Sequence, residues 1–252
     1  MTRNCLLGGL CAALLAACST APLHTSTPPA PPPRTAADAT IAEAWVSDPV
    51  AGDELDSLVA WPAEDGQVWL IATAKATHHL AIYDADTGQR LRTVGTSGSA
   101  VGQFNRPNGI AVFGDLLFVA ERDNHRVQAF RLPEFAPLGA FGADALRAPY
   151  GLWVHETAPG QLELFVTDSF MADFRTMKLP PMEELSGRVK RFQVRVEDGG
   201  KLEASLVGEF GDTGAAGALR MVESIAGDPV HQRLLVAEED PRVGSTLRDH
   251  TL

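Results

Sequence analysis

The chain has 252 residues, 45% of them hydrophobic and 7% aromatic, which is enough apolar material for one well-buried domain behind a short leader. Asp and Glu number 32 against 21 Lys and Arg, a formal net charge of −11, so the surface is not the basic one that nucleic acid requires. Three cysteines, at positions 5, 11 and 18, leave the rest of the chain without thiols, which excludes a disulfide framework or a zinc-thiolate site there.

Residues 1–17 carry one positive charge at Arg3, an apolar stretch from Leu6 to Leu15 and small residues at the end, the pattern of a secretory signal. The apolar stretch is too short to cross a bilayer as a helix. Leu15-Ala16-Ala17-Cys18 resembles a bacterial lipobox, which implies cleavage before Cys18 and lipid on that residue; the alternative is an ordinary signal with an incidental cysteine. Ser19, rather than Asp, after the cysteine resembles outer-membrane sorting, so the expected location is an outer-membrane lipoprotein facing the periplasm or exterior, held to the membrane by the Cys18 anchor. Cleavage also removes Cys5, Cys11 and Arg3, taking the net charge to −12. Residues 18–44 are rich in Pro, Ala and Thr, including Pro28-Pro29 and Pro31-Pro32-Pro33, and predict an extended stalk at about 3 Å per residue.

From residue 45 to 252 one unit recurs four times. A short apolar run is followed about ten residues later by a second run that stops on charged or polar side chains. The pairs are Ser57–Trp61 with Trp69–Lys75, Asn108–Val112 with Leu117–Arg122, Tyr150–Val154 with Leu164–Asp168, and Glu223–Ala226 with Leu234–Glu239. Repetition every 40 to 50 residues or so predicts an all-β fold, a β-propeller of four-stranded antiparallel blades.

Strands are expected in the first blade at 55–61, 68–73, 79–84 and 90–94. In the second they are expected from Pro107, opening on an Asn108-Gly109 turn, to Phe113, then at 116–120, 126–132 and 138–141, with Asp123-Asn124 forming a blade turn. The third has strands at 149–155 and 163–168, then an excursion in which Pro180 to Gly187 predicts one or two helical turns, then strands at 189–196 and 202–210. The fourth has strands near 221–226, 234–238 and 244–252. About 200 residues supply only some four blades, so the ring is small, open or cut short.

No nucleotide-binding glycine loop, zinc spacing or Gly-x-Ser-x-Gly elbow occurs. His78 and His79 are neighbours on a strand end and face opposite ways, one to solvent and one to packing. Trp61, Trp69 and Trp153 fall on core strand positions, and Trp45 is placed to pack on the edge of the first blade.

Residues 102–128, Gly102-Gln103-Phe104-Asn105-Arg106-Pro107-Asn108-Gly109-Ile110 through Glu121-Arg122-Asp123-Asn124-His125-Arg126-Val127-Gln128, resemble an NHL repeat, a propeller unit with no fixed chemistry. Over Asp53 to Asp240 the chain also resembles the β-propeller phytases, six-bladed calcium-dependent enzymes that remove phosphate from inositol hexakisphosphate. Asp56–Trp61, Ala72–Lys75 with Leu80–Asp84, Tyr150–Leu152, and Glu223–Ala226 with Ala237–Asp240 carry that likeness. It implies that Asp56, Glu223 and one or both of Glu238 and Glu239 bind calcium, and that Lys75, Arg122 and Tyr150 hold phosphate oxygens. Each has a plainer reading: Asp56, Glu223 and Glu239 as turn-capping carboxylates, Lys75 and Arg122 as partners of nearby acids such as Glu121, Tyr150 as a rim aromatic. The chemistry is coherent, because an anionic domain accommodates a polyanionic ester only where a cation reverses the local field. Ester cleavage also needs an activated water and cationic side chains to offset developing charge.

Two departures from that family stand out. Asp56-Ser57 replaces paired aspartates, and Asp168-Ser169 stands where a lysine is expected. Further carboxylates are expected from a fifth and sixth blade, which this sequence lacks, so if the chain is complete as given, calcium affinity and turnover are expected to be poor or absent. The competing expectations are a non-catalytic NHL-type scaffold that binds a protein or glycan, and an inactive, shortened phytase.

Overall fold

The computed structural model describes residues 41–197, 200–240 and 244–251, with side chains through Glu239, so the leader, Cys18 and the linker to residue 40 lie outside the described residues. Fifteen strands form three four-stranded antiparallel sheets and one three-stranded sheet, each ordered as in the sequence. The first blade is β1 (Leu55–Pro62), β2 (Val68–Ala74), β3 (His79–Asp84) and β4 (Arg90–Val94). The second is β5 (Pro107–Phe113), β6 (Leu116–Glu121), β7 (Arg126–Arg131) and β8 (Ala136–Phe141). The third is β9 (Pro149–Ala158), β10 (Gln161–Asp168), β11 (Val189–Val196) and β12 (Leu202–Phe210), with a 3-10 helix, Met182–Gly187, between β10 and β11. The fourth is β13 (Val222–Asp228), β14 (Arg233–Asp240) and β15 (Gly244–Thr251).

The blades stack face to face, and the core lies between them rather than within any one. Successive side chains on a strand point to opposite faces. On β6, Leu117 and Val119 therefore join Trp61, Ile71, Leu80 and Ile82 of the first blade. Phe118 and Ala120 join Leu152, Val154, Leu164 and Val166 of the third. Phe165 and Val189 meet Val222, Ile225, Leu234 and Val236 of the fourth. This two-sided burial is why the middle strands are continuous apolar runs, whereas the outer strands β4 and β12 are largely exposed. Packing runs from β1 to β5, β5 to β9 and β9 to β13, and the four sheets form part of a propeller whose ring is not closed.

Each first strand is bulged near its start, between Leu55 and Leu58, Pro107 and Ile110, Pro149 and Leu152, and Val222 and Ile225. Asn108-Gly109, expected as a turn, is this bulge within β5; a bulge and a turn draw on the same residue types, and only pairing with β6 distinguishes them. The register makes Asp56, Asn108, Tyr150 and Glu223 equivalent positions, one per blade. The residues at or just after the second-strand ends are also equivalent. The N–H groups of Lys75, Arg122, Ser169 and Glu239 each donate back to the loop before the bulge, at Glu54, Arg106, Ala148 and Met221.

Neighbouring blades approach closely at the bulges. A Cβ on Gly109 would stand 2.3 Å from the Tyr150 carbonyl oxygen, and one on Gly151 2.5 Å from that of Glu223, so only glycine fits. Thr73 donates its hydroxyl to the Asn108 carbonyl at 2.7 Å, and Thr167 donates to that of Glu223 at 2.6 Å. These contacts fix the position of one ring residue relative to the next.

Candidate functional site

The first strands of all four blades surround a cavity of about 340 Å³, lined by Asp56 to Leu58, Gly109-Ile110, Gly151-Leu152 and Ser224-Ile225. Of the residues singled out from sequence only Asp56 lines it, and Lys75, Tyr150, Glu223 and Glu239 interact with Asp56 or with one another beside it. Lys75 Nζ donates to Asp56 Oδ1 at 2.9 Å, with side chains only 23% and 16% exposed. Glu223 is half-buried, and its carboxyl is pushed from the ordinary 4.5 up to about 7, first by burial and then by the negative charges of Glu239 and Asp56. Lys75 and a hydrogen-bonding interaction with the Tyr150 hydroxyl offset this in part. Burial also raises the Tyr150 phenol, as do Glu223, Asp56 and Glu239, while Arg106 pulls it down. Tyr150 therefore remains a neutral donor at any ordinary pH.

Five of the seven residues singled out from sequence are thus brought together, and two are not. Arg122 donates to Asp123 Oδ1 at 2.6 Å and lies over the Phe174 ring, 5.1 Å from its centroid. Glu238 is 4% exposed, and its Oε1 accepts the Arg220 N–H. Its equivalents do the same work in the second and third blades, whereas the first has Ala74 at this position. Glu121 accepts from Asn105 N–H, Asn124, Arg126 and Gln128, and Asp168 accepts from the N–H groups of Arg147 and Ala148. In these three blades the carboxylate locks the loop before the bulge, while in the fourth the next residue, Glu239, acts on Glu223. Adjacent residues in Glu238-Glu239 so receive opposite tasks.

His78 and His79 are both engaged in the fold. His78 Nδ1 accepts the Arg106 N–H, and His79 stands 3.4 Å from Asp53. Trp45 covers Gly88 and donates to the Ala85 carbonyl, on the turn between β3 and β4. Arg106 is the cation that sequence reasoning missed. Its only signal was its place before Pro107 at the bulge.

The chemistry of the donor set fits a hard divalent cation: carboxylate and phenol oxygens, partly desolvated, with more negative charge than Lys75 alone balances. Among the described residues no three side chains of ligating type converge on one point as the groups stand, and Asp56 is engaged by Lys75.

Removing one carboxylate tests the electrostatic coupling. Glu239→Gln deletes a like charge beside Glu223, so the Glu223 titration is expected to move down from about 7 toward the ordinary carboxylate range. Carboxyl-carbon NMR reads the shift, and an unmoved midpoint would show that the two groups do not interact.

Against known proteins, residues 104–130 match the NHL repeat. No curated protein matches the chain in sequence. Among solved structures, a protein of unknown function from Bacteroides caccae is 13% identical, with 82% of this chain and 67% of that one covered and a TM-score of 0.50. The hydrazine synthase of Kuenenia stuttgartiensis is 12% identical with a TM-score of 0.49, and a chain of a nidogen/laminin complex is 15% identical with a TM-score of 0.47. The alignments cover 84% and 74% of this chain, and it spans about half of those two chains' lengths, 49% and 57%. At such identity the likeness is one of fold alone.

Proposed function

We propose that the protein is a phytase-like hydrolase that releases phosphate from inositol phosphates with the help of calcium, tethered to an envelope membrane through Cys18. The observation that supports this reading is the electrostatic coupling of Glu223 to Glu239, Asp56, Lys75 and Tyr150, beside a cavity that Asp56 lines. The raised proton affinity of Glu223 reflects its burial first and then the repulsion of Glu239 and Asp56, so its charged form would gain from a nearby cation.

In this reading Asp56, Glu223 and Glu239 are the residues that would hold calcium, which when bound would lower the proton affinity of water and screen substrate charge. Lys75 and Tyr150 orient the ester: the ammonium offsets charge on the phosphoryl oxygens and the neutral phenol donates to one of them. Glu223, half protonated near neutral pH, would give up that proton to bind a cation, so calcium binding would be expected to release protons there.

The test is phosphate release from phytate by the full chain, with calcium and then with excess chelator. Release that requires calcium and stops on chelation is expected. A protein that binds calcium yet liberates no phosphate at any concentration would remove the enzymatic reading and favour a non-catalytic scaffold, which the NHL match also accommodates.

A further inference from the structure

The second blade holds buried polar atoms for which the fold supplies no partner. Oδ1 and Nδ2 of Asn108 are both buried without a hydrogen bond among the described residues, and the residue is 0% exposed. Nε of Arg106, two residues earlier, is in the same condition. The surrounding backbone is satisfied, since the Asn108 carbonyl accepts from Thr73 and the Arg106 N–H donates to His78. Arg106 also holds a left-handed backbone, φ 53°, although it carries a long side chain. An unpaired buried amide and a strained arginine both oppose folding, and such features concentrate where a ligand completes the arrangement.

Their position agrees. Asn108 occupies on β5 the place that Asp56, Tyr150 and Glu223 occupy on the other first strands, and Gly109-Ile110 beside it form part of the cavity wall. The Arg106 charge is felt at the Tyr150 phenol. A guanidinium repels a metal ion, whereas the guanidinium and a neutral amide each offer N–H donors to an oxyanion. The free amide oxygen can accept from a hydroxyl of the same ligand.

We infer that Arg106 and Asn108 form a phosphate-contacting pair in the second blade, adding to the Lys75 and Tyr150 contacts across the cavity. This rests on the hydrolase reading for its substrate, but the pair binds phosphate whether or not hydrolysis follows. It also supplies the cation that Arg122, paired with Asp123, does not bring to the site.

The probe is inorganic phosphate, titrated calorimetrically into the full chain with calcium present, alongside thermal melts. Asn108→Leu keeps the side-chain volume and removes the stranded amide, so the melting temperature is expected to hold or rise while phosphate affinity falls at least about tenfold. Arg106→Asn, which tolerates the left-handed backbone, is expected to lose as much affinity and remain folded. Phosphate affinity equal to wild type in both variants, or no phosphate binding by the wild type, overturns the pair. If wild type binds phosphate through these residues but releases none from phytate, the pair stands and the hydrolase reading falls. If phytate is hydrolysed with unchanged KM by both variants, the hydrolase stands and the pair falls.

Discussion

Glu223→Gln is expected to lower calcium-dependent phosphate release by at least about a hundredfold, the scale on which loss of one well-placed electrostatic group acts, while making the folded protein more stable above neutral pH. The two effects have one cause. Below 4.5 the carboxyl is protonated in both folded and unfolded chains and contributes nothing either way. Between 4.5 and about 7 the folded chain keeps a proton that the unfolded chain gives up, so stability falls as pH rises through that window and stays lower above it. Glutamine carries no charge to desolvate, so the variant lacks this fall. Because Glu223 is only half-buried, solvent screening reduces the effect. Melting temperature measured from pH 4 to 9 reads the stability, and phytate assays read the turnover. A variant less stable than wild type at pH 8, or one with undiminished turnover, would contradict the account. A pure scaffold would show the stability gain without a catalytic loss.

The second large effect falls on the fold. Arg188 is the bulkiest fully buried side chain, at 0% exposed. Its guanidinium donates to the carbonyl oxygens of Asp168, Phe170, Leu219 and Arg220 and lies 4.3 Å from the Phe170 ring centroid. Burial lowers its pKa to about 10, still well above neutrality, and the Asp168 carboxylate beside it opposes that fall. One side chain thereby joins the end of β10 to the loop that leads into β13, and so helps place the third and fourth blades together. Arg188→Met fills the space but strands the carbonyls and leaves the Asp168 charge without its neighbour, at a cost of about 3–5 kcal/mol. For a domain of this size that lowers Tm by on the order of 10 °C. Arg188→Lys keeps the charge without the planar fork and is expected to recover only part of the loss. A methionine variant melting within a degree or two of wild type would show that the network contributes little.

The blade strands were legible because their pattern is local. Arg90–Val94 and Val189–Val196 could be bounded from the sequence alone, as apolar or alternating runs between Gly, Asp and Pro punctuation. Leu117-Phe118-Val119-Ala120 could be recognised as a strand buried on both faces, though not which residue faces which neighbour. Which candidate residues lie near one another was legible only in part. Asp56, Lys75, Tyr150, Glu223 and Glu239 were found through a resemblance that fixes their places in the repeat.

Arg122 and Glu238 show the limit of that reasoning. The sequence shows a charged residue at the end of each second strand. It does not show that one residue of Glu238-Glu239 turns back to hold the Arg220 N–H while the next remains exposed beside Glu223. Nor does it show that Arg122 prefers Asp123 and Phe174. Arg106 and Asn108 carried no periodic signal, because their significance lies in what they fail to contact.

The sequence by itself determined an acidic, all-β chain of repeated blades, because strand period, turn residues and apolar runs depend on near neighbours along the chain. Only the tertiary structure decided which polar residues share a cavity. Asp56, Asn108, Tyr150 and Glu223 lie far apart in the chain, and meet only through the register of four separate bulges and the close approach that Gly109 and Gly151 permit.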